Sequence, residues 1–225
     1  MLLDSVQIGA DDVDRARVAY ETLLAVTPAG RAAGGWRFQL ATGAIDLIPG
    51  AAGLQSLTFV GEPIGVLNVH GLTVIRTTPE TTPPSPVLAP DAVEGIDHVV
   101  VRTPDPERAI ATWQDTYGIR LALDRDFPQR QLRLQFFRSN HITLEYASPL
   151  PLADDRSGAD AFFGLSLRVP NLPERRARLL GAGFDVSEIR TGMRPNSIVA
   201  SVRSGIEGVP ILLLAVTPSP MPQAD

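Results

Sequence analysis

The residues able to do chemistry in this chain are few, and most of them fall in one stretch. There are three histidines, His70, His98 and His141, no cysteine, and no lysine, since all 20 basic residues are arginine. Thiolate zinc sites, disulfides and thiol nucleophiles are therefore excluded, as are Schiff bases and phosphate-loop lysines. What remains is imidazole, carboxylate and guanidinium chemistry. The stretch Gly95-Ile-Asp-His-Val-Val-Val places His98 early in an apolar run, and His141-Ile-Thr-Leu-Glu-Tyr-Ala places Glu145 late in another. Neutral imidazole and carboxylate on neighbouring strands suit a divalent Zn, Fe, Ni or Mn ion, or an acid–base pair. A strand carboxylate in apolar company also needs a partner, which favours Glu145 as a functional group.

Other candidates are weighed against these two. His141 shares a strand face with Thr143 and Glu145, but lies roughly 13 Å from Glu145 along an extended strand. It reads as a turn residue beside Ser139-Asn140, and His70 lies in a poorly preserved part of the pattern. Arg133, Arg168, Arg194 and Arg203 could receive an anionic substrate group, because a guanidinium fork matches a carboxylate. Met193-Arg-Pro-Asn196 reads as a rim loop. Phe136, Phe137 and Trp113 read as core.

The elements that must position these residues follow from periodicity. Residues 95–101 alternate as a strand, a helix follows with Ile110, Trp113 and Tyr117 on one face, and Gly118 suits its C-terminal cap. Three strand-like runs then close a strand–helix–three-strand unit at Pro149. A similar unit opens the chain: a strand over 2–9, a helix capped by Asp11 or Asp12 with Val13, Ala16, Tyr20 and Leu23 in one stripe, then strands over 36–40 and 44–48. Residues 54–60 and 69–76 read as two strands of a truncated unit. Residues 160–218 read as a fourth unit, with a strand from Phe163, a helix from Leu172 and strands over 184–189, 196–203 and 209–216. Val101–Arg108 aligns with Arg168–Arg175 at a shift of 67, and His141–Pro149 with Pro210–Pro218 at a shift of 69. Repeats of this size indicate duplicated units that bury their apolar faces on one another.

The pattern predicts an α+β fold of tandem βαβββ modules, with curled antiparallel sheets and helices outside. A degenerate half spans 1–78 (unit 1–51 and truncated unit 53–78), a linker with five prolines spans 79–92, and a fuller half spans 93–218 (units 93–149 and 160–218). The pocket is expected between the third and fourth units.

The Gly-Ile-Asp-His-Val-Val-Val strand, the Pro-Asp-Pro-Glu-Arg helix start and Ile142-Thr-Leu-Glu-Tyr together resemble the vicinal oxygen chelate superfamily of glyoxalases, bleomycin-resistance proteins and extradiol dioxygenases. The resemblance implies a divalent metal held by His98 and Glu145; Glu145 is also the expected catalytic residue, and Arg133, Arg168 and Arg194 are the expected substrate contacts. It implies a lyase, isomerase or dioxygenase acting on a small oxygenated organic molecule. The partner positions depart from the pattern: Leu165 and Leu214 align with His98 and Glu145 in the fourth unit, and Ser5 and Ile48 in the first. A metal-free small-molecule binding protein of the bleomycin-resistance type is the alternative.

A net charge of −5 and a pI near 5.2 argue against nucleic acid or anionic membrane as partners. No apolar run reaches the ~20 residues a spanning helix needs. The N-terminus has no basic region or signal core, so a cytoplasmic protein, monomer or homodimer, is expected.

Overall fold

The computed structural model describes residues 1–78 and 89–216, which form two mixed sheets. The first sheet holds β1 (Leu2–Ala10), β2 (Ala29–Gly30), β3 (Trp36–Gln39), β4 (Ala44–Pro49), β5 (Gly53–Val60), β6 (Gly65–Val69) and β7 (Leu72–Thr77), in the order β2-β3-β4-β1-β5-β7-β6. The second holds β8 (Gly95–Arg102), β9 (Arg120–Phe127), β10 (Leu132–Ser139), β11 (Ile142–Pro149), β12 (Ala161–Arg168), β13 (Arg190–Thr191), β14 (Ser197–Ile206) and β15 (Val209–Val216), in the order β13-β14-β15-β12-β8-β11-β10-β9. The α+β reading holds. The sheets are mixed because the first strand of each unit runs parallel to its last: β1 beside β4, β5 beside β7, β8 beside β11 and β12 beside β15.

Helix starts follow the sequence signals. Asp12 caps α1 (Val13–Leu24) by accepting from the Arg15 amide at 2.9 Å, satisfying one of the orphan donors of the first turn. Asp105 caps α2 (Pro106–Ile110) and Asn171 caps α3 (Leu172–Gly181) in the same way. Beyond α2 the backbone widens into a π-wound turn, Ala111–Thr116, which drives Trp113 into the core. There its Nε1 donates to the Tyr146 hydroxyl at 2.6 Å and its ring stacks on Phe59 of the first sheet.

The helices pack outside the sheets, as expected, and contacts also join the two halves. The Tyr20 hydroxyl on α1 reaches the carbonyl of Ile206 on β14, and the Val93 amide bonds the Leu24 carbonyl. Helices α1 and α2 keep an exposed side, with Val18 and Glu107 at the surface, and one apolar core runs through both halves. Gly95 sits at this junction, where an added Cβ would lie 1.8 Å from the Thr42 hydroxyl, so only glycine admits the Thr42 bridge.

Two expected strands differ. Residues 69–76 are interrupted by a tight turn at His70 (φ 53°) and Gly71 (φ 102°), which joins β6 to β7. Residues 184–189 make one bridge, Val186 to Val202, and the short β13 follows them. Most of the proline-rich segment and the C-terminal tail lie outside the described residues.

Candidate functional site

β8 and β12 lie side by side at the centre of the second sheet, so the third and fourth units meet there. Their pairing puts His98 directly opposite Ser166 and skips from His98 to Ile96 against Ser166 and Leu167. Asp97 is the extra residue of this β-bulge. A bulge breaks strict alternation and re-aims a side chain, and here it turns Asp97 towards the concave face beside His98. On the other side β8 runs parallel to β11, with Thr143 opposite His98 and Glu145 opposite Val100.

The result is a chain of polar groups on one concave face. Asp97 Oδ1 lies 3.0 Å from His98 Nδ1, and Glu145 Oε2 lies 3.1 Å from His98 Nε2. The imidazole is thus fixed from both ends by carboxylates. Arg168, at the end of β12, approaches Asp97 Oδ2 at 3.4 Å, and Arg194, from the loop between β13 and β14, approaches Oδ1 at 3.4 Å. Both guanidiniums stay partly exposed, with donors left for a ligand. Phe136 stands opposite Glu145 and sets its ring edge-on to His98, 6.4 Å between centroids. It is therefore a wall of the site, not core.

Electrostatics separate the two carboxylates. Burial works to raise the Asp97 carboxyl, but the His98 hydrogen bond and the charges of His98, Arg194 and Arg168 outweigh it and hold it at about 2. Glu145 moves the other way, raised chiefly by burial and also by the charge of Asp97, with His98 and Arg130 opposing. Two acids pushed apart around one imidazole are an arrangement suited to acid–base work. Asp97 anchors the ring at Nδ1, and Glu145 faces it at Nε2. Ser166 is fully buried, and its hydroxyl has no hydrogen-bond partner.

The structure revises several expected correspondences. Ser166, not Leu165, stands in the fourth unit where His98 stands in the third, because Ser166 pairs with Leu212 of β15 as His98 pairs with Thr143 of β11. Leu165 faces the core, paired with Val99. Leu214 does take the Glu145 position. In the first unit Ser5 matches His98, but Asp46, not Ile48, matches Glu145, since Gln7 pairs with Asp46 as Val100 pairs with Glu145.

Arg133 does not join Arg168 and Arg194. It pairs with Ser148, on the convex face, and grips Asp124 in a two-pronged bond (2.8 and 2.7 Å) and Glu107 at 2.7 Å. Arg203 approaches Asp185 at 3.7 Å on the surface. His141 is exposed in the β10–β11 turn, and His70 Nε2 lies 2.8 Å from the Thr112 hydroxyl. Asp97 was not singled out from sequence; its signal is the acid directly before the histidine, which gains meaning only through the bulge.

His98 Nε2 and Glu145 Oε2 are donors a divalent metal could use, and the Asp97 bond to Nδ1 is the outer-shell support such a histidine ordinarily has. The set stops there. Ser166 and Leu214 occupy the partner positions, and among the described residues no three His, Cys, Asp or Glu side chains are arranged to hold a metal ion. Two protein ligands fall short of the three or more that hold a resident catalytic metal.

Residues 97–200 match the family model described as the Glyoxalase/Bleomycin resistance protein/Dioxygenase superfamily. That span includes Asp97, His98, Glu145, Ser166, Arg168 and Arg194, so the stretch carrying the site is similar to that superfamily. The fold is shared over nearly its whole length with BphC, a halotolerant catechol dioxygenase (TM-score 0.71, 13% identity, covering 98% of this chain and 89% of that one). It is likewise shared with 2,2',3-trihydroxybiphenyl 1,2-dioxygenase from Sphingomonas wittichii strain RW1 (TM-score 0.70, 16% identity, 95% and 90%). Methylmalonyl-CoA epimerase from Mycobacterium tuberculosis matches 59% of this chain and 94% of its own at 23% identity, with a TM-score of 0.49. At these identities the likeness is one of fold. No curated protein matches the chain.

Proposed function

We propose that the concave face around His98 binds a small oxygenated organic anion and moves a proton on it, the chemistry of an isomerase or lyase. The observation that carries this is the Asp97–His98–Glu145 chain, with contacts of 3.0 and 3.1 Å. Arg168 and Arg194 receive the substrate carboxylate at one end of the face. Burial raises the Glu145 carboxyl while the neighbouring His98 opposes that shift, which suits a base that must take a proton and return it. In its ionised form it removes the proton from the carbon beside a carbonyl, while His98 Nε2–H hydrogen-bonds the pair and Asp97 keeps the ring in register. Return of that proton to the other face or a neighbouring carbon completes an isomerisation; departure of a β-substituent instead gives elimination.

A divalent metal, were it bound, would be held by His98 and Glu145 and would polarise the substrate oxygens; no step above depends on it. The metal-free binding reading finds support in the walls, since Leu214, Val199 and Leu134 are buried apolar residues outside the main core. The anion requirement separates ligand from bystander: calorimetric titration should show 2-oxobutyrate binding and its neutral analogue 2-butanone failing to compete. Equal binding of the two would remove Arg168 and Arg194 from the reading.

A further inference from the structure

The first sheet carries a twin of the site just described, built on different chemistry. β1 pairs with β5 so that Ser5 faces Thr58 and Leu3 faces Phe59, which leaves Asp4 as the extra residue of a bulge. Asp4 therefore stands where Asp97 stands, Ser5 where His98 stands, Thr58 where Ser166 stands and Asp46 where Glu145 stands. In the second sheet an imidazole bridges the two acids. Here the Arg37 guanidinium does so, with Nη2 3.0 Å from Asp4 Oδ2 and Nη1 2.9 Å from Asp46 Oδ2, and Arg31 adds a bond to Asp46 Oδ1 at 2.9 Å.

A cavity of about 120 Å³ remains beside this bridge, lined by Asp4, Ser5, Asp46, Thr58, Arg31 and Arg37 among others. Ser5 is 1% exposed and its hydroxyl, at the cavity wall, has no hydrogen-bond partner. A buried hydroxyl without a partner is unusual and marks a place where another group completes the bonding. The two carboxylates are already matched by two guanidiniums, so the lining carries no net charge. An added ion would be desolvated without a counter-charge, whereas a neutral hydrogen-bonding molecule would not. The volume equals about four waters, which admits a ligand of roughly four to six non-hydrogen atoms.

We infer that the Ser5–Thr58 cavity is a second ligand site, taking a small uncharged hydroxyl- or amide-bearing molecule rather than a metal or an anion. The test is an amide-resolved NMR titration of the full chain with glycerol, acetamide, acetate and Mn²⁺. Saturable shifts at Ser5 and Thr58 with glycerol or acetamide are expected, weakened at least about fivefold in Ser5→Ala and in the isosteric Thr58→Val. His98→Ala should leave them unchanged, which keeps this site's failure separate from that of the catalytic proposal. Linear, unsaturable shifts, shifts that survive both variants, stronger binding of acetate, or Mn²⁺ broadening centred on Asp4 and Asp46 would each overturn the inference.

Discussion

Ser166 faces His98 across the β8–β12 pair, so the position from which a partner module would supply its ligand holds a buried, unpartnered hydroxyl. That relationship separates the fold's capacity for a metal from this chain's donor set. It also predicts how the set could be completed. Ser166→His adds an imidazole on the face shared with His98 and Glu145, and should raise the affinity for Ni²⁺ or Zn²⁺ by at least about tenfold over wild type. Equilibrium dialysis checks this; unchanged affinity in a folded variant would contradict the register-based assignment.

Glu145 and stability should trade against each other. Its folded-state pKa is raised above the unfolded value, so its contribution is fully present at pH below the unfolded value and is lost as pH rises through the folded one. Glu145→Gln should therefore be more stable than wild type at pH 8, on the order of 1 kcal/mol, and nearly equal to it at pH 4. Urea unfolding at the two pH values measures the difference.

Asp97 has the opposite sign. Its pKa is depressed to about 2, so it stabilises the fold above the unfolded value and that contribution is lost as pH falls from about 4 towards 2. Asp97→Asn should cost about 2 kcal/mol at pH 7 and flatten the acid limb of the stability curve. An acid limb identical to wild type would mean that His98, Arg168 and Arg194 do not converge on it.

Arg133, Arg168 and Arg194, the expected substrate contacts, should split. Arg194→Ala and Arg168→Ala should each weaken 2-oxobutyrate binding by about tenfold, with little change in stability. Arg133→Ala should leave binding intact and lower stability by about 1 kcal/mol, because it breaks a bridge from α2 to β9 and β10. Calorimetry and thermal unfolding on the same samples read both effects.

The four-unit order, the helix caps and the His98–Glu145 pairing were legible in the sequence because they depend on local periodicity and on residues far apart in type. What escaped was registration. Strand residues alternate faces, so a one-residue error exchanges core for site, as it did for Leu165 and Ser166. The shifts of 67 and 69 between units already showed that no single alignment holds, but a bulge has no composition signal that locates it at Asp97. Arg133 was misjudged for the same reason: its distance from Glu145 in sequence says nothing of which face it takes until β10 is registered against β11.

The central claim is proton transfer at the His98–Glu145 pair. Its most direct measurement is ¹H NMR of 2-oxobutyrate incubated with the protein in D₂O, following loss of the C3 proton signal. Exchange above the buffer rate in wild type and in Arg133→Ala, and exchange at the buffer rate in Glu145→Gln, is the predicted result. Exchange at the buffer rate in wild type with bound 2-oxobutyrate, or undiminished exchange in Glu145→Gln, would contradict it.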